Sequence, residues 1–383
     1  MRGHHTTIIE SEPDMTITDA TPRPTETPSD GAVEAFADRV FTDLLGSLST
    51  YATAIGVTLG WYEALAGADA LTSVELAAAT DTDERYCREW LEQQTVSGYL
   101  HVVDPSDSPM ARHYSIAPEA AEILTNRSSL AYMAPFPGFV TTLGHSLPDV
   151  IDAYRTGAGV GWHEHGDGAR CGQAEANRPM FLKLLGQEYL ASVPAVDAAL
   201  RGGGTVADVG CGLGWSSIGI AHAYPRARIH GYDIDAPSIE GARVNATEAG
   251  VADRVRFHAI DVAELDADGY DVVLALECIH DMADPVSVLQ AMRNIVKPGG
   301  TVVVMDERVG EHFTGEPDPV EQFMYGFSLL CCLPDGRNAP ESVATGTVMR
   351  PPTLERYATE AGFAGVDVLP IENDFFRFYE LTV

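Results

Sequence analysis

The stretch Asp208-Val209-Gly210-Cys211-Gly212-Leu213-Gly214 constrains the fold of this chain more than any other. It follows a short apolar run and precedes a helical pattern opening near Ser216, the layout of a strand, a tight turn and a helix N-terminus. Glycines at such a turn let the backbone pass close to a ligand, and the free N–H groups of the helix start favour a carboxylate or other anionic group. A dinucleotide-binding turn asks for G-x-G-x-x-G, but Trp215 stands where its third glycine would fall. Asp208 would repel an incoming pyrophosphate, whereas it can pair with the ammonium of an amino-acid ligand.

The surroundings of the turn read as a parallel α/β sheet. Apolar runs at 205–209, 228–233, 255–260, 270–276 and 301–305 alternate with helical stretches. Two further candidate strands, 366–371 and 376–381, are close enough in sequence to pair antiparallel at one edge. Asp233 ends the second strand, where a carboxylate can accept both hydroxyls of a ribose, and Asp261 ends the third, where it can accept from an adenine amino group. Ile234 and Val262 are then placed to pack on the ring faces. Any of these carboxylates taken singly reads as a solvated strand end; the set reads as a nucleoside-binding site.

The rest of the chain divides by texture. Residues 1–31 are polar and acidic and are predicted to be a disordered tail. Residues 32–127 are predicted to be a winged helix. In it an amphipathic helix spans 55–65, Thr72 caps 73–79, and Asp83 caps a helix that runs to about 97 and is ended by Gly98. Strands at 99–103 and 113–116 flank a turn-rich loop, and a helix covers 118–124. Residues 128–200 are a helical connector and substrate cap, interrupted at Pro135, Pro137, Gly144, Pro148 and the glycine-rich run 157–172. Residues 201–383 hold the sheet.

Charge excludes some functions. Asp plus Glu number 56 against 24 Lys plus Arg, a net charge of −32, with only Lys183 and Lys297 as lysines. Nucleic-acid binding draws on cationic contacts to phosphates, so it is disfavoured. In particular, the helix where a DNA-reading face would sit carries Asp83, Glu84, Glu89 and Glu92 against Arg85 and Arg88. A GC-rich genome explains few lysines but not so large an acidic excess, which suits a salt-rich cytoplasm. No apolar run reaches the roughly 18 residues of a membrane span, and no basic-then-apolar start marks a secretory signal. The six cysteines, Cys87, Cys171, Cys211, Cys278, Cys331 and Cys332, lack metal or disulfide spacing, which fits a reducing cytoplasm.

The motifs DVGCGLG at 208–214, GYDID at 231–235, AIDV at 259–262 and VKPGGTVVVMDE at 296–307 together resemble the class I S-adenosylmethionine-dependent methyltransferases. The resemblance implies a Rossmann-like α/β fold with a seven-stranded sheet whose last strand is reversed. It also implies S-adenosylmethionine as cofactor. Asp208, Gly210, Gly212 and Gly214 would hold its methionine portion, Asp233 its ribose and Asp261 its adenine amino group, the ring whose faces Ile234 and Val262 are placed to cover. The order winged helix, connector, methyltransferase domain is similar to the O-methyltransferases of plant phenolics and bacterial natural products. The runs GQAEANRPMF at 172–181 and ECIHDM at 277–282 look like actinobacterial and archaeal methyltransferases of uncertain substrate. In that wider group the winged helix serves dimerisation, which implies a homodimer, and covers the active site.

The phenolic enzymes carry their catalytic histidine in an HD dipeptide, and His280-Asp281 matches it, with Met282 where they usually have tryptophan. His280 is therefore the candidate general base, as against a helix-start histidine that only satisfies a carbonyl. Asp306 is the candidate that orients it, and Glu277 a candidate contact to cofactor or base. Phe136, Phe139, Trp162, Phe323, Tyr325 and Phe327 are candidate apolar walls for a small-molecule acceptor. His163 and His165 form an H-x-H without a third ligand, and no metal is expected. The reading that follows is methyl transfer to a hydroxyl oxygen. N-, C- or S-methylation, non-methylating use of the cofactor, and a cofactor-sensing regulator are the alternatives.

Overall fold

The computed structural model describes residues 29–265 and 269–383, so nearly all of the expected tail lies outside the described residues. The described residues divide into two compact units between Ser47 and Leu48. A 29-residue helix, Asp30–Thr58, is the first described element. Along it Phe36, Phe41, Leu44 and Leu48 are 66%, 61%, 55% and 64% exposed, an apolar stripe facing outward.

The winged helix follows the expected order with one correction. The single amphipathic helix predicted over 55–65 is two helices, because Gly60 takes φ +69° and breaks the chain between Asp30–Thr58 and Trp61–Ala66. Thr72 caps Ser73–Thr80 with a reciprocal bond to Glu75, and the Asp83 carboxylate accepts from the N–H groups of Arg85 and Tyr86 at the start of Glu84–Val96. Strands β1 (Leu100–Val102) and β2 (Tyr114–Ile116) pair antiparallel as the wing, and Pro118–Thr125 closes the domain. Trp61, Tyr62, Leu76, Leu91 and Tyr114 make its core.

The glycine-rich run 157–172 was expected to interrupt the connector throughout, but only its first residues do. From Trp162 to Met180 the chain is helical, kinked where Gly166 takes φ 74° and ψ −171°. The glycines after the kink serve packing. A Cβ on Gly172 would lie 2.7 Å from Cβ of Phe139, so its absence lets the helix Pro135–Leu143 lie close. A π-helical stretch, Phe181–Tyr189, continues the connector onto the helix Trp215–Ala223.

The remaining strands are β3 (Thr205–Val209), β4 (Arg228–Asp233), β5 (Val255–Ala259), β6 (Tyr270–Leu276), β7 (Val296–Glu307), β8 (Gly365–Val368) and β9 (Phe376–Thr382). They form one seven-stranded sheet in the order β5-β4-β3-β6-β7-β9-β8. Strands β3 to β7 run parallel to one another, while β9 runs antiparallel to both β7 and β8, the latter as the expected edge pair. Helices cover both faces, and side chains alternate between them: Val206, Val272 and Leu274 pack on one face, Ala207, Val273 and Ala275 on the other. The chain leaves β3 towards β4 on one side and returns to β6 on the other. The crevice at the carboxyl ends of β3 and β6 is therefore the place such a sheet offers a ligand. Among the described residues, no helix is long and apolar enough to cross a membrane.

Candidate active site

Every strand from β3 to β7 delivers acidic side chains to that same end of the sheet. Asp208, on β3, is 1% exposed and receives the hydroxyls of Ser216 and Ser217 at 2.7 and 2.6 Å on one carboxylate oxygen. Burial pushes its pKa up to about 6 despite these two hydrogen bonds. The glycine turn after it is left-handed at Gly210, Gly212 and Gly214, with φ of +69°, +49° and +81°. Gly210 also has no room for a side chain, since a Cβ there would lie 2.7 Å from Sγ of Cys278. Cys278 in turn donates to the Val209 carbonyl at 3.3 Å, so the turn after β6 is seated on the turn after β3.

Asp233 closes β4 and accepts from the Gly212 N–H at 2.8 Å and from the Asp235 N–H at 2.9 Å. Burial raises its pKa. Ile234 beside it is 78% exposed, free to lie against a planar group. Asp261 is exposed and its carboxylate accepts from the Ala263 N–H at 2.9 Å. Val262 is buried and packs into the core with Tyr232 and Leu289, so the structure does not bring it to the open site with Ile234.

Glu277 takes φ +59°, a left-handed conformation unusual for a side chain of its size. Its carboxylate is held by Gln173 at 2.8 Å and by Asn177, and burial pushes its pKa up to about 7. Gln173 and Asn177 stand one helical turn apart on the connector, and Arg170 on the same face pairs with Asp235 at 2.6 Å. The connector helix is thus fastened across the ends of β4 and β6. Sequence reasoning missed these three polar residues; the signal was their i, i+3, i+7 spacing ahead of Met180.

His280 is 2% exposed. Its Nδ1 lies 2.9 Å from Asp306 and 3.1 Å from Glu307, at the end of β7, and its Nε2 lies 3.2 Å from Asp281. Burial alone would favour neutral imidazole, but Asp281, Glu307 and Asp306 outweigh it and hold the pKa well above the ordinary value. The charged form of the imidazole is thereby favoured more than in an unperturbed histidine. Glu307, an unforeseen member of the group, is pushed well up by burial and by its neighbour Asp306.

The aromatic residues expected as acceptor walls do assemble. Phe139 stands 5.0 Å from Phe327 and 6.5 Å from Trp162, and Phe323 lies 5.8 Å from Phe136 and 4.9 Å from Phe327. Tyr325 instead contacts Arg350, 3.3 Å from its hydroxyl. Cys332 packs beside Phe139 and Phe327 and links this cluster to the His280 group. Asp335, three residues on, accepts from the Trp162 N–H at 2.7 Å, and burial pushes its pKa up to about 7. His163 and His165 part company: His163 is exposed, whereas His165 is buried and bonded to Ser146 at 3.0 Å.

These residues fit S-adenosylmethionine. Asp208 is buried and Asp233 half-buried, and neither takes part in an ion pair among the described residues, so a cationic amino-acid ligand would supply a missing countercharge. A Cβ on Gly212 would meet nothing within 4 Å, so open space lies over the turn between them.

Residues 200–336 match the family described as a methyltransferase domain, and residues 47–126 match an Rv2258c-like winged HTH domain. The chain thus carries a methyltransferase fold behind a winged-helix domain. Among individual relatives, it is 40% identical over 103 residues to the ubiquinone biosynthesis O-methyltransferase of Bordetella avium, covering 26% of this chain and 41% of that protein. It is 37% identical over 110 residues to the 27-O-demethylrifamycin SV methyltransferase of Amycolatopsis mediterranei, covering 28% and 40%. The chain thus spans about two fifths of the length of the curated relatives it matches. Two solved structures match nearly throughout. Mitomycin 7-O-methyltransferase has a TM-score of 0.67 at 23% identity, covering 92% of this chain and 99% of its own. Human N-acetylserotonin methyltransferase, solved with S-adenosylmethionine, has a TM-score of 0.67 at 17% identity, covering 93% and 99%. At these identities the likeness is one of fold.

Proposed function

We propose that this protein transfers a methyl group from S-adenosylmethionine to a hydroxyl oxygen of a small molecule. The single observation that carries the reading is the buried His280-Asp306 pair seated, through Cys278, against the Asp208 glycine turn. Asp208 and the turn would hold the methionine portion of the cofactor, Asp233 the ribose and Asp261 the adenine amino group. When bound, the cofactor supplies an electrophilic methyl on its sulfonium. The chain's own contribution is to orient the acceptor and manage its proton. Asp306 accepts from Nδ1–H of His280, which leaves Nε2 as the nitrogen that meets an acceptor hydroxyl. The aromatic group around Phe139 would cover the acceptor and exclude water.

The raised pKa of His280 favours a second reading of the same step. An acceptor that arrives ionised would be held by the imidazolium, and the transfer would then rest on proximity and charge. Turnover of S-adenosylmethionine to S-adenosylhomocysteine, with a mass screen of hydroxylated metabolites for a methyl gain, tests the activity; no gain with any acceptor overturns it. The exposed apolar stripe on Asp30–Thr58 supports a homodimer built on that helix, because such a stripe seeks a partner surface. Six free thiols support a reducing cytoplasm, and the charge of −32 supports a salt-rich one.

A further inference from the structure

We propose that His280, Asp281 and Cys332 form a binding site for a divalent cation of the zinc class, which caps the histidine on its acceptor side. An imidazole nitrogen, a carboxylate oxygen and a thiol sulfur from these residues all lie within 4.8 Å of one another. Nε2 of His280 and the Asp281 oxygen are 3.2 Å apart, and that oxygen has no well-aligned hydrogen bond. Tetrahedral zinc, with bonds of about 2.0–2.3 Å, sets its ligand atoms roughly 3.2–3.8 Å apart, and this spacing falls within that range.

A second, independent observation lies behind the ring. One oxygen of Asp306 and one of Glu307, in side chains only 1% and 2% exposed, have no hydrogen-bond partner. Among the described residues, His280 is the sole cationic group in the ion pairs of Asp281, Asp306 and Glu307. Asp306 on Nδ1 also supplies what a metal-bound histidine ordinarily has, a carboxylate that fixes the ring and leaves Nε2 for the metal. The mixture of nitrogen, oxygen and sulfur suits zinc over magnesium or calcium, and three protein ligands leave a fourth position open. No spacing rule reveals the site, because Cys332 comes from a π-helical stretch 51 residues beyond Asp281 in the sequence.

The capping effect rests on His280 being the group that meets the acceptor; the binding does not. The test uses the full chain and Co²⁺ as a spectroscopic probe, followed by Zn²⁺ in competition with a chromophoric chelator. One equivalent of Co²⁺ should give a thiolate-to-cobalt band in the near ultraviolet that Cys332→Ala abolishes and Cys171→Ser, at an exposed thiol, retains. Cys332→Ala and Asp281→Asn should each weaken Zn²⁺ by at least about tenfold, with circular dichroism confirming the fold. Asp281 is partly exposed, so its variant serves even if the cysteine variant does not fold. A wild-type chain without the band, or Zn²⁺ affinity unchanged in Asp281→Asn, overturns the site. In the transfer assay Zn²⁺ should inhibit wild type at concentrations at least tenfold below those that inhibit Asp281→Asn; equal inhibition overturns the capping.

Discussion

Nδ1 of His280 lies 2.9 Å from Oδ1 of Asp306, and the pair joins the turn after β6 to the end of β7 in a position closed to solvent. A positioned acid–base group contributes about 10²–10⁴-fold in rate. His280→Ala should lower kcat by that order in single-turnover transfer at saturating cofactor, with the dissociation constant for S-adenosylmethionine unchanged. Asp306→Asn should lose less, because it only orients and charges the ring. A loss confined to KM would instead indicate the imidazolium that holds an ionised acceptor.

Asp233→Ala should weaken S-adenosylmethionine by roughly tenfold to a hundredfold, since hydrogen bonds to a charged acceptor contribute about 1.5–3 kcal/mol. The carboxylate also receives the Gly212 N–H, so its loss frees the glycine turn. Titration calorimetry reads the change, and unchanged affinity would remove Asp233 from the site.

Asp208 gives two opposite pH trends. Its pKa in the fold is about 6, above the ordinary carboxylate value, so the native state holds a proton that the unfolded chain has already released. The contribution of this group to apoprotein stability is present at low pH and lost as pH rises through about 6. Cofactor affinity runs the other way, because the ionised form attracts the ammonium, and should fall as pH drops below about 6. Comparing wild type with Asp208→Asn from pH 5 to 8, by chemical denaturation and by calorimetry, should remove both trends in the variant.

Gly210→Ala should destabilise the fold by about 1–3 kcal/mol, since the new methyl meets Sγ of Cys278 at 2.7 Å and alanine must take φ +69°. Urea denaturation of Gly210→Ala with and without Cys278→Ala isolates the share of the thiol. The double variant should recover the Sγ part of the steric cost and keep both the conformational cost and the contact with Cβ of Cys278, 2.8 Å from the new methyl.

Raising KCl from dilute buffer to molar levels shortens the screening length to about 3 Å and should relieve repulsion among surface carboxylates. The melting temperature should rise across that range. A flat or falling curve would give the charge of −32 an origin other than a salt-rich cytoplasm.

The strands, the glycine turn and the strand-end carboxylates were legible because each is a local signal. Period-two burial, turn chemistry and helix caps act over a few residues, and Thr72, Asp83 and Asp208 stand where their neighbours in sequence place them. The errors came from the same locality. A continuous apolar pattern over 55–65 hides the break at Gly60, and a glycine-rich run reads as loop although its glycines serve a helix packed on Phe139. What the sequence by itself determined was the sheet, its cofactor-facing edge and the identity of His280 as the residue to watch. Only the tertiary structure decided the company these groups keep. It set Glu277 against Gln173 and Asn177, Arg170 against Asp235, and His280 among Asp281, Asp306, Glu307 and Cys332. Those contacts join segments tens of residues apart, and proton affinity depends on burial and on charges brought near through space. An imidazole that the sequence presents as an ordinary base is, among three folded-in acidic side chains, shifted towards its charged form.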